Sequence, residues 1–385
     1  APPSWRIRLQ DVAWLALFGG LAAASSSRND AEMELLTALA AFQIAEPRWR
    51  SLHTPRGAWL SVFIKLLLSY LLIGVTGAIT AAIANLPSGL RPENISLVSV
   101  STTLATNAVV EGHGSAVGVL LIGFDQAMAD RTGIARAFPG MPMAMIGGGH
   151  DHGGNEVQPL DVAGLEVAIG SMAVDAFAIA SAFAVRNPAH EHRARDLVSR
   201  YTGKPATLST ELTSSLDAPR RALTAVLNAR LISRISMLIA SVRKSMAELK
   251  IVCPLMIVKG DGTLALAERV ALRPIETVLS GPAASLVGAS WLCGAKDFIM
   301  SDMGGTTTDL GILAGGRPQV AEQGADVGGW RTMVKAIDVK TIGLGGDSEI
   351  SIGLNAKMEV GPQRVAPISL IASRYPEVTA MLEAD

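Results

Sequence analysis

Ser301-Asp302-Met303-Gly304-Gly305-Thr306-Thr307-Thr308-Asp309-Leu310-Gly311 is the stretch that decides how this chain is read. Phe298-Ile299-Met300 leads into it and Leu310-Gly311-Ile312-Leu313 leaves it, which predicts strand, tight glycine turn, strand. Gly304 and Gly305 lack a Cβ, so the backbone can turn sharply and bring its N–H groups close to a ligand. Successive N–H groups in such a turn make an anion-binding concavity, and Thr306, Thr307 and Thr308 add hydroxyl donors. Asp302 and Asp309 bracket the loop with carboxylates, which suit a hydrated Mg²⁺ rather than the phosphate itself. Donors for a phosphate beside acids for its metal are what phosphoryl chemistry uses. A plain hairpin with solvated threonines is the competing reading. The density of Gly, Thr and Asp at the end of a buried-looking strand favours a nucleotide or phosphate loop.

The rest of the composition suits a globular protein. The chain has 385 residues, 49% of them apolar and 17% charged, enough to bury a large core and too apolar for a disordered tail. A formal net charge of -1 supplies no basic field and argues against nucleic acid as a partner. Cys253 and Cys293 have no Cys-x-x-Cys or zinc spacing and lie in apolar sequence. They read as buried thiols in a reducing, cytoplasmic compartment.

Residues 1–72 look unlike the remainder. Trp5, Trp14, Trp49 and Trp59 are four of the six tryptophans. Residues 66–86 are uncharged and about 30 Å long as a helix, and residues 12–24 resemble a secretory signal. Gly74, Thr76, Gly77, Thr80 and Asn85 dilute the longer stretch, so a buried core helix is the expectation there and a membrane is not an expected partner. From residue 73 onward, helices are predicted at 73–86, 161–172, 219–249 and 280–292, and one starting at Asn187-Pro188. Strands are predicted at 95–100, 116–122, 141–146, 176–184, 254–258 and 339–342. Strands alternating with helices predict an α/β protein.

Other polar groups stand at the ends of these elements. Thr102-Thr103 and Thr106-Asn107 follow a strand, where they suit either a ligand's polar edge or helix capping. Gly149-His150-Asp151-His152-Gly153-Gly154-Asn155-Glu156 carries metal-ligand types, but its glycines and the lack of a third fixed His favour a polar loop or a substrate-contacting His150. His190 and His192 read as a solvated helix face. Gly343-Leu344-Gly345-Gly346-Asp347-Ser348 is a second glycine-rich turn after a strand. A Gly-x-Ser-x-Gly elbow and a Walker loop are both absent.

Taken in order, these motifs resemble the hydantoinase/oxoprolinase family, hydantoinase A type, of the actin-like, sugar-kinase-like ATPase superfamily. The match is carried by Thr102–Ala108, Gly149-His150-Asp151, Leu216-Asp217-Ala218-Pro219-Arg220-Arg221 with Asn228, and Ser280-Gly281-Pro282-Ala283. It continues through residues 302–309, Asp338 and residues 343–348. The resemblance implies two ribonuclease-H-like halves with a nucleotide cleft between them. It also implies ATP-dependent opening of a cyclic amide such as a hydantoin or 5-oxoproline; relatives serve as subunits of ketone carboxylases. Phosphorylating the amide oxygen would turn a poor electrophile into one that water can attack. On this reading Asp302 and Asp309 are catalytic, with Asp302 holding Mg²⁺ or the attacking water. Gly304, Gly305, Thr306, Thr307 and Thr308 cradle the phosphates of ATP, and Gly345 and Gly346 approach the adenosine. Thr102, Thr103, Asn107 and His150 face the substrate.

The chain departs from the family pattern in two places. The Asp-x-Gly-Gly-Thr-x-Thr-Asp loop expected near the start has one echo, Phe18-Gly19-Gly20, with no Thr or Asp completing it. Relatives also continue past the turn at Gly345, so a truncated C-terminus is expected. The expected organisation is an atypical region at 1–72, a first α/β half at 73–186 and a hydantoinase/oxoprolinase core at 187–385. The leading function is an ATP-dependent cyclic amide hydrolase working with a hydantoinase B-like partner chain, with a homo-oligomer left open. Two alternatives remain: a small-molecule kinase of the same superfamily, and a catalytically impaired nucleotide-binding or assembly subunit.

Overall fold

The computed structural model describes residues 92–305, 307–352 and 358–366, with Ile371, Tyr375, Glu377, Val378 and Met381 beyond them. The readings for residues 1–72, for the apolar stretches at 12–24 and 66–86, and for a helix at 73–86 lie outside the described residues. The chain divides into two compact units, residues 1–95 with 240–252, and residues 96–239 with 253–385. In the first, Ile95 N–H donates to the Pro92 carbonyl and Ile251 N–H to that of Met246. The second unit carries the motifs quoted above.

In that second unit β1 (Val98–Val100) leads into α1 (Leu104–Val110). Next come β2 (Val117–Ile122), α2 (Gln126–Arg131), α3 (Ile134–Ala137), β3 (Met143–Ile146) and a short hairpin of β4 (Gly149–His150) and β5 (Glu156–Gln158). Then follow α4 (Val162–Ser171), β6 (Ala176–Ser181), α5 (Ala189–Thr202), β7 (Ala206–Leu208) and α6 (Ser209–Leu212). Four of these strands form a parallel sheet in the order β3-β2-β6-β7. The residue-187 boundary read from the sequence falls between β6 and β7 of this sheet.

β2 and β6 are buried along their whole length, the condition of a strand covered on both faces. Leu165 and Ile169 of α4 and Leu197 and Val198 of α5 pack with Leu120, Ile122, Phe177 and Ile179. Each such side chain contributes about 1.5–3 kcal/mol when fully buried. The α4 start follows from Asp161, whose carboxylate accepts the Gly164 N–H, an N-cap bond. Asn187 Oδ1 accepts the Ala189 N–H, but the cap residue of α5 is Pro188, one position later than expected.

The long helix α7 (Ala218–Glu248) has the length and hydropathy of a membrane-crossing helix, yet 56% of its apolar stretch is buried inside the protein. Beyond it, β8 (Leu255–Val258) pairs parallel with β1 and antiparallel with β9 (Leu264–Leu266). α8 (Ala267–Leu272) and α9 (Ser280–Cys293) follow. β10 (Phe298–Met303), β11 (Thr308–Ala314) and β12 (Arg317–Pro318) make an antiparallel meander. After a small hairpin of β13 (Asp326–Val327) and β14 (Trp330–Arg331), β15 (Val339–Ile342) joins β11 on the edge opposite β10, alongside β12. β16 (Ser348–Ile352) and β17 (Met358–Arg364) pair with each other.

Two expectations fail on burial. Cys293 is exposed and Cys253 only half-buried. Cys293 ends α9 and Cys253 precedes β8, so neither sits inside an element where an apolar neighbourhood in sequence becomes one in space. His190, read as solvated, is 5% exposed, because its ring turns under the β4–β5 hairpin.

Candidate functional site

The predicted strand–turn–strand at residue 305 forms, and its register decides what it presents. Asp302 pairs with Asp309 across β10 and β11, and Asp309 pairs with Thr341 across β11 and β15. Directly opposed residues share one face of a sheet, so Asp302, Asp309 and Thr341 make a row across three strands. Thr341 Oγ1 donates to Asp309 Oδ1 at 2.6 Å. Further along the same face, Met300 and Leu313 pack under Leu286 of α9, and a Cβ on Gly311 would meet Leu286 at 3.6 Å. The face is therefore apolar beneath the helix and acidic at the hairpin end.

The two glycine-rich turns, 40 residues apart in sequence, are locked together. Gly346 N–H donates to the Gly304 carbonyl at 2.9 Å and Asp347 N–H to the Gly305 carbonyl at 2.8 Å. Thr308 Oγ1 donates to the Leu344 carbonyl at 2.6 Å. Gly304 N–H closes its own hairpin on the Thr307 carbonyl, and Arg364 pairs with Asp347 at 2.9 Å.

This explains the glycines one by one. A Cβ on Gly345 would lie 2.5 Å from the Gly305 carbonyl oxygen, and one on Gly305 would lie 2.7 Å from Asp347 Oδ2. Those two positions are glycine so that the turns can touch. Gly304 and Gly346 have nothing nearer than 3.7 Å and 3.9 Å, so they are open to an approaching ligand. Asp302, Gly304, Gly305 and Gly346 are exposed and Thr307 is half-exposed. Thr308 is buried, and its hydroxyl braces the turns. Thr306 lies outside the described residues.

Thr102 and Thr103 meet the start of α9. Ser280 Oγ donates to the Thr102 carbonyl at 2.8 Å and accepts the Thr102 N–H at 3.2 Å. Thr106 Oγ1 accepts the Leu279 N–H at 2.9 Å. Leu279 sits at φ +61°, a left-handed conformation costly for a residue with a Cβ. Thr102 Oγ1 also accepts the Leu104 N–H, a turn just ahead of the helix, while the cap residue Thr103 makes no side-chain cap bond. Thr103 and Asn107 are exposed one helical turn apart. Thus the Thr102 and Ser280 motifs form one junction, and α9 runs from it across the apolar part of the sheet face that carries Asp302 and Asp309.

His150 is elsewhere. It is 4% exposed in β4, with its ring centroid 4.3 Å from that of His190. His190 Nδ1 accepts the Gly149 N–H and Nε2 contacts Glu156 Oε1 at 2.7 Å. That fixes His190 as the Nε2–H tautomer. His150 Nδ1 is buried with no hydrogen-bond partner among the described residues. Burial first, and then the neighbouring His190, lower the His150 pKa below its ordinary value. Among the described residues no group of three His, Cys, Asp or Glu is arranged to hold a metal.

The Arg221 and Asn228 motif is structural, a role the sequence did not reveal. Glu191, fully buried, accepts hydrogen bonds from Ser181 N–H, Ser209 Oγ and both donors of Thr210. Arg221 donates to Ser209 Oγ and to the carbonyls of Ser215 and Ser181. Burial lowers the Arg221 pKa, opposed by Glu191 and Asp217. Asn228 ties α7 to Thr207, Leu272 and Ile275.

Comparison with known proteins identifies the relatives of this chain. The sequence profile described as Hydantoinase/oxoprolinase N-terminal region matches residues 63–202, and that described as Hydantoinase/oxoprolinase matches residues 221–372. The caprolactamase alpha subunit of Pseudomonas jessenii is 30% identical over 68% of this chain and 41% of its own length. The acetophenone carboxylase gamma subunit of Aromatoleum aromaticum is 26% identical over 70% of this chain and 41% of its own. The crystal structure of the ATP-dependent caprolactamase from P. jessenii superimposes with a TM-score of 0.64 at 27% identity, over 76% of this chain and 45% of that one. The fold is thus the mixed α/β arrangement of the actin-like ATPase type. The two profiles together cover most of the sequence, and the chain belongs to the hydantoinase/oxoprolinase family. That family comprises ATP-dependent hydantoinase/oxoprolinase-like enzymes and subunits of caprolactamases and ketone carboxylases. This chain spans under half the length of the relatives it matches.

Proposed function

We propose that this chain is the nucleotide-handling part of an ATP-dependent hydrolase that opens a cyclic amide such as a hydantoin or 5-oxoproline, acting with a hydantoinase B-like partner chain. The observation that carries the reading is the locked pair of turns with two carboxylates beside it. Like charges directly opposite in a sheet cost about 0.2–1 kcal/mol. Asp302 and Asp309 accept that cost at the end of a turn whose outer glycines are bare. Their oxygens fit Mg²⁺, which takes one or two carboxylates and completes its shell with water and phosphate; when bound, it neutralises charge developing on the transferred phosphoryl group. Gly304 and Gly346 let backbone come close to the phosphates and adenosine. Thr307 offers a hydroxyl, and Thr341 holds the Asp309 carboxylate in one orientation.

The chemistry follows from what a lactam lacks. Its oxygen attacks the γ-phosphorus and ADP leaves. Water then adds at the activated carbon, oriented by Asp302. The carbon–nitrogen bond breaks with a proton passing to nitrogen, and a second water releases phosphate from the acyl phosphate. Thr103 and Asn107, exposed together at the start of α1, are the substrate-facing groups, with Thr102 fixing the junction behind them; His150, buried in β4, is not one of them.

The test is to titrate ATP with Mg²⁺, then measure phosphate release with and without hydantoin, 5-oxoproline or caprolactam. Substrate-dependent phosphate release with ring opening is the expected result. Absence of nucleotide binding overturns the proposal. Binding without turnover points instead to a role in assembly, and a stable phosphorylated product to a kinase.

A further inference from the structure

At the opposite end of the parallel sheet from the β4 turn, the N-terminal ends of β2 and β3 and the side of α7 enclose a cleft of about 410 Å³. That volume lies in the range of about 300–1,000 Å³ that small molecules occupy. Its walls are Phe138, Pro139, Met141, Pro142 and Val117, and its polar group is Arg230. The guanidinium stacks on Phe138 at 4.4 Å from the ring centroid and, among the described residues, donates one hydrogen bond, to the Gly112 carbonyl. Arg234 lies one helical turn away on α7. Among the described residues neither arginine forms an ion pair with a carboxylate. The carboxylates carried by the neighbouring segments are engaged, Glu111 by His113 and Asp175 by the Ala116 N–H.

Two like charges at i and i+4 on a helix repel. Burial first, and then Arg234, lower the Arg230 pKa, and an anion beside the guanidinium would act in the opposite sense. An arginine fork with most of its donors free among the described residues matches a carboxylate or phosphate, and the surrounding Phe and Pro surface suits an apolar body. We propose that this cleft is a binding site for a small organic anion, a carboxylate or phosphate head on an apolar body, held by Arg230 with Arg234 behind it.

The experiment is calorimetric titration of the full chain with benzoate, phenyl phosphate, inorganic phosphate and benzamide, the neutral isostere of benzoate. Benzoate or phenyl phosphate is expected to bind saturably, and whichever binds tighter assigns the head group. Benzamide and inorganic phosphate should bind at least about tenfold more weakly, a difference of about 1.4 kcal/mol. Arg230→Met should erase the preference for anions. Arg234→Met leaves the Phe138 stack in place and should weaken the same ligand severalfold, which guards against a folding defect in the first variant. No saturable binding of either aromatic anion below about 10 mM, or binding that neither substitution alters, overturns the proposal.

Discussion

Asp302 and Asp309 stand directly opposite each other in one hairpin, and the 2.6 Å bond from Thr341 reaches Asp309 alone. Asp302 is exposed and no side-chain hydrogen bond within the described residues restrains it. Asp302→Asn should therefore leave stability within about 0.5 kcal/mol of the parent, as surface substitutions do, while phosphate release falls by about 10²-fold or more. Denaturant melts and a phosphate-release assay on the same preparation check both halves.

The glycines of the second turn separate structure from ligand contact. Gly345→Ala places a methyl 2.5 Å from the Gly305 oxygen and should cost about 1–3 kcal/mol of stability, as overpacking does. Gly346→Ala meets nothing nearer than 3.9 Å and should melt with the parent. A nucleotide titration then reads the second role: the Gly346 variant should bind ATP more weakly although it is fully folded. Unchanged affinity would show that no ligand passes at this position.

Removing Arg221 takes a cation away from a buried carboxylate that keeps its own four hydrogen bonds. Glu191 and Arg221 share the Ser209 hydroxyl, which donates to one and accepts from the other. Arg221→Met should destabilise by about 1–3 kcal/mol, the cost of leaving buried acceptors such as the Ser181 carbonyl without their donor. Ser209→Ala should cost about 1–3 kcal/mol. Urea midpoints at constant slope measure both, and neither variant should change ATP affinity once corrected for the folded fraction.

Acid sensitivity has an identified contributor. His150 is held neutral by burial and by His190, against the raising influence of Glu156 and Asp151. Its folded pKa lies below the unfolded value of 6.5, so the unfolded chain binds the extra proton first. Its contribution to stability is complete above that value and is lost as pH falls through the folded pKa. The urea midpoint should drop between pH 7.5 and pH 5, and His150→Phe should shrink that drop. An equal drop in both proteins would remove His150 from the account.

The local parts of this architecture were readable because they depend on neighbours in sequence. The apolar run of β2 announced a strand buried on both sides. The stretch 161–172 read as a helix, and Gly304-Gly305 announced their bend. What sequence spacing could not carry was partnership across distance. Thr341 was overlooked because only strand register places it beside Asp309. His190 was read as solvated because Glu156 and the Gly149 amide, which bury it, belong to another segment. The contact between the Gly304 and Gly345 turns left one usable trace: each turn holds a pair of glycines, and one of each pair is needed to let the other turn in. Cys293 was misread because the end of a helix ends the packing as well.

The pairing of β10 with β11 carries one more consequence. Successive residues of a strand project to opposite sides, so sliding β11 by a single position would put Thr308 or Leu310 across from Asp302 and turn Asp309 away. Every amino acid of the loop would survive such slippage and the acid pair would not. The chemistry proposed here is thus a property of alignment, and a one-residue insertion or deletion in that strand would abolish it more thoroughly than most substitutions.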